Sequence, residues 1–227
     1  MMNYRVKTDR ALINSQSCKV LSELYGFSPT FSAVLLARNI DTPEKISVFF
    51  DPDNEQLYSP LLLPDMNAAV ERILKAFDDN EKILIYGDYD ADGITASAML
   101  SMYLSENTDS DVYVHIPDRF NEGYGLYMPS IETYVKKGVT LIVTVDTGTK
   151  ALDEINFARS LGADVIVTDH HECPKILPDC VAVVNPMRFD SVYPFKGLAG
   201  AGVAFKLICA LYGKINGADG TEDLLNR

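Results

Sequence analysis

Three aspartates stand at alternate positions in Asp88-Tyr89-Asp90-Ala91-Asp92-Gly93, directly after an apolar run at 83–86. Carboxylates this close repel one another unless a cation or several hydrogen-bond donors compensate. A calcium-binding EF-hand loop begins in the same way, but it needs a helix before it and a bidentate glutamate at loop position 12. Here a strand-like run precedes Asp88, and the residue at that loop position is Met99. Turn chemistry accounts for one of the aspartates, with Asp92 capping a following helix; it does not account for three. A second group, Asp169-His170-His171, gathers two of the chain's 3 histidines. Neutral imidazole is a ligand of borderline hardness, and an adjacent carboxylate fixes its tautomer and orientation. The third group, in "VTVDTGT", sets Asp146 ahead of Gly148, where a carboxylate can bridge two ions. Asp and His together suit a pair of Mn²⁺ or Mg²⁺ ions better than a closed structural zinc site. Such a pair clamps a phosphoryl oxygen and makes hydroxide from water near neutral pH, so the expected reaction class is phosphoester hydrolysis.

Each of these groups follows an apolar run, "ILIY", "LIVTV" or "VIVT". Near-continuous apolar strands alternating with helical segments predict an α/β fold, a mostly parallel sheet with helices on both faces. In an open sheet of that kind ligands bind beyond the carboxyl ends of the strands, where the strand order reverses. Asp88, Asp146 and Asp169 are therefore expected on one rim. Further strands are expected at 111–116 and 181–185, and helices at 94–106, 129–137, 150–161 and 197–213. Another helix starts at Asp65, because Met66, Ala69, Val70, Ile73, Leu74 and Phe77 share one face. Ahead of it, "SPTFSAVLLARNI" and "DTPEKISVFF" read as short helices, each opened by a Ser or Asp cap and a first-turn proline. The expected division is an N-terminal helical region and connector, 1–64, and an α/β domain, 65–227.

With 47% hydrophobic and 23% charged residues among 227, the chain has the balance of an ordinary globular core. A net charge of −12 lends no support to a polyanionic partner, yet bound divalent ions would offset part of it. The cysteines form no CxxC pair and read as reduced thiols. "MMNYRVKTDR" does not read as a secretory n/h-region and no apolar run nears the ~20 residues of a membrane span, so the expected setting is cytoplasmic, with no membrane partner.

"GDYDADG", "VDTG" and "TDHH", in this order, resemble the first three motifs of the DHH phosphoesterases. That family also includes pyrophosphatases, oligoribonucleases and cyclic-dinucleotide phosphodiesterases. "LLLPDMNAAVERI", "PDRFNEGYGL" and "NPMRFDSVYPFKGLAGAGVAFKL" are similar to its bacterial RecJ branch of single-stranded-DNA exonucleases, and the likeness runs from about residue 28 onward. The resemblance implies a metal-dependent 5′→3′ exonuclease on single-stranded DNA, working in DNA repair and recombination, with a single-strand-binding protein or a helicase as companion. It places metal ligands at Asp90, Asp92, Asp146 and His170, with Asp146 as the bridge and Asp88 as a ligand or its support. Asp169 would orient the histidines and His171 would face the scissile phosphate. Arg119 is a candidate phosphate contact, with an ordinary loop arginine as the alternative. Gly200 and Gly202 are candidates for offering backbone N–H groups to a phosphate, with a plain tight turn as the alternative. The family's fourth motif, a metal-binding aspartate, is not met before "TEDLLNR", and Asp223 does not sit in a matching context. The family's smaller substrate-binding domain is not met either. The chain is thus expected to be the N-terminal part of a longer exonuclease, weakly active or inactive alone. Two other functions stay open, a phosphodiesterase for short oligonucleotides or cyclic dinucleotides, and a non-catalytic binding module. The RecJ-like segments weigh against the first and the intact motifs against the second.

Overall fold

The computed structural model describes residues 10–51 and 57–217. The chain divides into two compact units between Leu57 and Tyr58. The first contains α1 (Arg10–Ile13), α2 (Gln16–Tyr25), α3 (Pro29–Ala37) and α4 (Pro43–Phe50), with Leu21, Leu35 and Ile46 at its centre. Ser28 caps α3 by accepting from the Phe31 N–H at 3.2 Å. The cap of α4 is Thr42, not Asp41, whose carboxylate instead meets Lys45 one turn on at 2.6 Å.

The unit boundary falls a few residues ahead of the expected 64/65 division. The 3₁₀ turn Pro60–Leu62 and the residue after it belong to the second unit: Leu63 is part of its core, and Lys206 Nζ donates to the Tyr58 carbonyl at 2.7 Å. Part of the connector, and Asp223, lie outside the described residues.

The second unit begins with α5 (Met66–Asp78), followed by β1 (Lys82–Tyr86), α6 (Ala91–Asn107), β2 (Val112–His115) and α7 (Met128–Lys136). It continues through β3 (Val139–Val145), α8 (Leu152–Ser160), β4 (Asp164–Thr168), β5 (Ala182–Val184) and α9 (Gly200–Asn216). The sheet order is β2-β1-β3-β4-β5 and every pairing is parallel. Ile83, Ile85, Leu141 and Val143 face α5, α6 and α9, while Leu84, Tyr86 and Ile142 face α7 and α8. Burial on both faces is why these strands read as continuous apolar runs rather than alternating ones. The short edge strand β5 is covered from outside. Asp65 accepts from the Val183 N–H at 3.0 Å, and Arg188 pairs with Asp65 and donates to the Val183 carbonyl at 2.7 Å. Such cover removes an exposed edge that would otherwise invite pairing. No single helix among the described residues is long and apolar enough to cross a membrane. The order reverses between β1 and β3, so the crevice for a ligand opens above the carboxyl ends of these two strands.

Candidate metal centre

The three acidic groups do converge above the switch between β1 and β3. Asp88, just past β1, is 3% exposed, and burial raises its pKa. Asp90 caps α6, its Oδ1 accepting from the N–H groups of Asp92 at 2.9 Å and Gly93 at 3.0 Å. The capping role thus falls to Asp90 rather than to Asp92, and the helix starts at Ala91, one turn earlier than expected. Gly93 lets that turn lie against the loop: a Cβ there would stand 2.6 Å from the Asp88 carbonyl oxygen.

Asp146 leaves β3 in the left-handed region, with φ 60°, a conformation that Asp and Asn tolerate better than other residues with side chains. The first turn of α9 packs directly on it. A Cβ on Gly200 would sit 2.3 Å from Asp146 Oδ1, so only glycine fits. Asp92 fastens the same turn, its two oxygens accepting from Gly200 N–H and Ala201 N–H, each at 2.7 Å. The Gly200 amide is therefore committed to a carboxylate within the chain rather than standing free for a phosphate. Gly202 faces Leu198, whose Cδ2 would be 3.2 Å from an added Cβ, which is a packing role.

Asp146 Oδ1 is buried without a hydrogen-bond partner; His170 Nε2 stands 3.1 Å away but not in hydrogen-bonding geometry. Burial, with Asp92 and Asp90 nearby, pushes the Asp146 pKa up to about 7. A buried acceptor this poorly served is what a cation would satisfy. The donor atoms form two sets, each within 4.8 Å: Asp88, Asp90 and Asp146, and Asp146, His170 and His171. Asp146 belongs to both. Asp92 belongs to neither, although its Oδ2 lies 3.7 Å from His170 Nε2. Carboxylates with one or two imidazoles fit Mn²⁺ or Mg²⁺ in hardness.

Asp169 organises the histidine side. Its Oδ1 accepts from the His170 N–H and from His171 Nδ1, both at 2.7 Å, and its Oδ2 accepts from the Thr149 N–H at 3.0 Å. Burial opposes its charge, but the hydrogen bonds from His171 and Thr149 outweigh it and hold the pKa at about 2. The same bond raises the pKa of His171. With Nδ1 engaged, His171 turns Nε2 toward the Tyr124 hydroxyl, 3.5 Å away. Arg119 is exposed, its Cζ 5.5 Å from the centre of the Tyr89 ring.

Residues 82–226 match the DHH family, N-terminal domain. The chain belongs to the DHH family. Two relatives described as single-stranded-DNA-specific exonuclease RecJ frame the likeness. That of Bacillus subtilis strain 168 is 42% identical over 87% of this chain and 25% of its own length. That of Haemophilus influenzae is 38% identical over 82% of this chain and 32% of its own length. A crystal structure of exonuclease RecJ bound to manganese is 33% identical and superposes with a TM-score of 0.63, over 70% of this chain and 40% of that one. The chain thus spans 25% and 32% of the length of these two relatives.

Beyond the DHH motifs, two side chains matter that the sequence reading passed over. Asn185, fully buried just past β5, donates to Thr149 Oγ1 at 3.0 Å and to the His171 carbonyl at 2.9 Å. An asparagine at the end of one more strand on the same rim was the available signal. Tyr124 comes from the 117–127 loop and, with Thr147, Lys150 and Glu154, lines a cleft of about 210 Å³ beside His171. Nothing in its local sequence points there; only the fold brings it to the histidine.

Proposed function

We propose that this DHH domain hydrolyses phosphodiester bonds with two divalent ions, Mn²⁺ or Mg²⁺, as a 5′→3′ exonuclease on single-stranded DNA. The observation that carries the proposal is Asp146, common to two sets of donors and holding a buried oxygen without a partner. On this reading Asp88, Asp90, Asp92, Asp146 and His170 would hold the two ions, with Asp146 common to both donor sets. Asp92 also anchors α9 with both oxygens, and its Oδ2 stands 3.7 Å from His170 Nε2. A bound pair supplies Lewis acidity at the phosphoryl oxygen and an activated water at neutral pH.

The chain's own groups do the rest. Asp169 fixes His171 in the tautomer with the proton on Nδ1, leaving Nε2 to face the scissile phosphate. The raised pKa of His171 favours the protonated form, which stabilises developing negative charge and can pass a proton to the leaving oxygen. Arg119 grips a phosphate of the incoming strand. Single-stranded DNA is the substrate in the names of the RecJ relatives, and their identity to this chain supports the same choice here. A single-strand-binding protein or a helicase is the kind of companion that this substrate implies, in a cytoplasmic setting. The phosphoesterase domain on this reading is the α/β unit, with the helical unit ahead of it.

The test is nucleotide release from a 5′-phosphorylated single strand in Mn²⁺, beside the same strand in duplex form and a cyclic dinucleotide. Metal-dependent release from the single strand alone is expected. Cleavage confined to the cyclic dinucleotide would shift the activity to a small-substrate phosphodiesterase.

A further inference from the structure

Several aromatic rings beside the carboxylate centre have little structural work to do. Phe120 is 94% exposed and Tyr124 is 60% exposed, and an exposed group of rings commonly marks a binding surface. The loop that carries them is held firmly. Asp118 Oδ1 accepts from the N–H groups of Phe120 and Asn121, both at 2.9 Å. Glu122 meets His115 Nε2 at 2.7 Å and accepts from Ser130 Oγ at 3.1 Å. The Tyr127 N–H donates to the buried Tyr86 hydroxyl at 3.0 Å. The rings are thus presented by a fixed loop, which lowers the ordering cost of binding.

Tyr89, Tyr124 and His171 are also successive neighbours. Arg119 lies over Tyr89 at 5.5 Å, Tyr89 is 6.3 Å from Tyr124, and Tyr124 is 6.4 Å from His171. Lys150 lines the cleft that Tyr124 and His171 also line. Arg119 and Lys150 thus place cations beside the aromatic rings, next to the candidate phosphate site. The planes of Tyr89 and Tyr124 are 82° apart. Bases seated on both rings are splayed from one another, an arrangement open to a single strand and closed to a stacked duplex.

We infer that Tyr89 and Tyr124 are a base-stacking platform that positions a single strand at the centre and sets its preference for single-stranded over duplex DNA. Arg119 and Lys150 contact phosphates of the strand. The inference rests on the single-strand reading above. Stacking on an aromatic ring tolerates every base, because each has a π face.

The experiment compares a 3′-labelled oligothymidylate with an abasic strand of the same length and charge. Anisotropy is read in Mg²⁺ immediately after mixing, for the wild-type chain, Tyr124→Ala and Tyr124→Phe. The wild type should prefer the thymidine strand, and Tyr124→Ala should bind it roughly 5- to 150-fold more weakly with its abasic affinity unchanged. Tyr124→Phe should keep the preference. Equal losses on both strands, or no loss on either, would overturn the platform while leaving the single-strand reading intact. A wild type that binds neither strand would remove that reading and the platform with it.

Discussion

Replacing Asp146 by Asn should make the metal-free protein more stable at pH 8, and should abolish most of the stability gained from Mn²⁺. Asn is the informative choice because it matches the shape of Asp and, like Asp, tolerates the left-handed φ of 60° found here; Ala would add backbone strain. Burial first, then Asp92 and Asp90, raise the Asp146 pKa from 3.8 to about 7. An acid whose folded pKa exceeds its unfolded pKa binds its proton more tightly when folded. Its contribution is complete below the unfolded value near 3.8 and drains away as pH climbs to about 7. At ~1.4 kcal/mol per pKa unit, the drop from below 3.8 to above about 7 is at most roughly 4 kcal/mol. If about half survives relaxation around the site, Tm in EDTA at pH 8 should be roughly 4–8 °C higher for Asp146→Asn, and the two proteins should converge near pH 4. Mn²⁺ at 100 times Kd should add ~2.7 kcal/mol per site to the wild type and much less to the variant. Thermal melts across pH 4–8, with and without Mn²⁺, provide the assay. A variant that is less stable than the wild type at pH 8 in EDTA, with an equal gain from Mn²⁺, would refute the reasoning.

Gly200→Ala drives a Cβ to within 2.3 Å of Asp146 Oδ1, so α9 must retreat; a loss of ~1–3 kcal/mol in denaturant melts is expected, together with weaker Mn²⁺ binding by calorimetry. Asp92→Asn removes a charged cap from two α9 amides and should cost ~0.5–2 kcal/mol, together with weaker Mn²⁺ binding by calorimetry. Asn185→Ala leaves the His171 carbonyl without its donor and should destabilise by ~1–3 kcal/mol, with a change in the His171 titration seen by NMR. Arg119→Ala should reduce the log–log salt slope of single-strand binding by about 0.7, read from anisotropy at several salt concentrations.

The strands and the rim were legible because burial on both faces leaves a continuous apolar run that ends abruptly at an acidic turn. The glycine and proline punctuation made the flanking helices legible as well. The strand order and the unit boundary were not, since both depend on contacts distant in sequence, such as Lys206 holding Tyr58. At the centre, Asp88, Asp146 and the histidine pair lie where their spacing put them. Asp92 does something that spacing could not reveal: its partners are the amides of Gly200 and Ala201, more than a hundred residues on. The same contact explains Gly200 better than a phosphate does. Asn185 and Tyr124 were passed over for a related reason, because a lone polar or aromatic residue gains meaning only from the loop that delivers it to His171.

The central claim is that one buried carboxylate serves two ions. Frozen-solution electron paramagnetic resonance of the Mn²⁺-loaded chain tests it most directly. The account predicts an exchange-coupled pair of ions in the wild type and loss of the coupled signal in Asp146→Asn. A wild type that shows only magnetically isolated Mn²⁺ at saturation, or a variant that keeps the coupled signal, would contradict it.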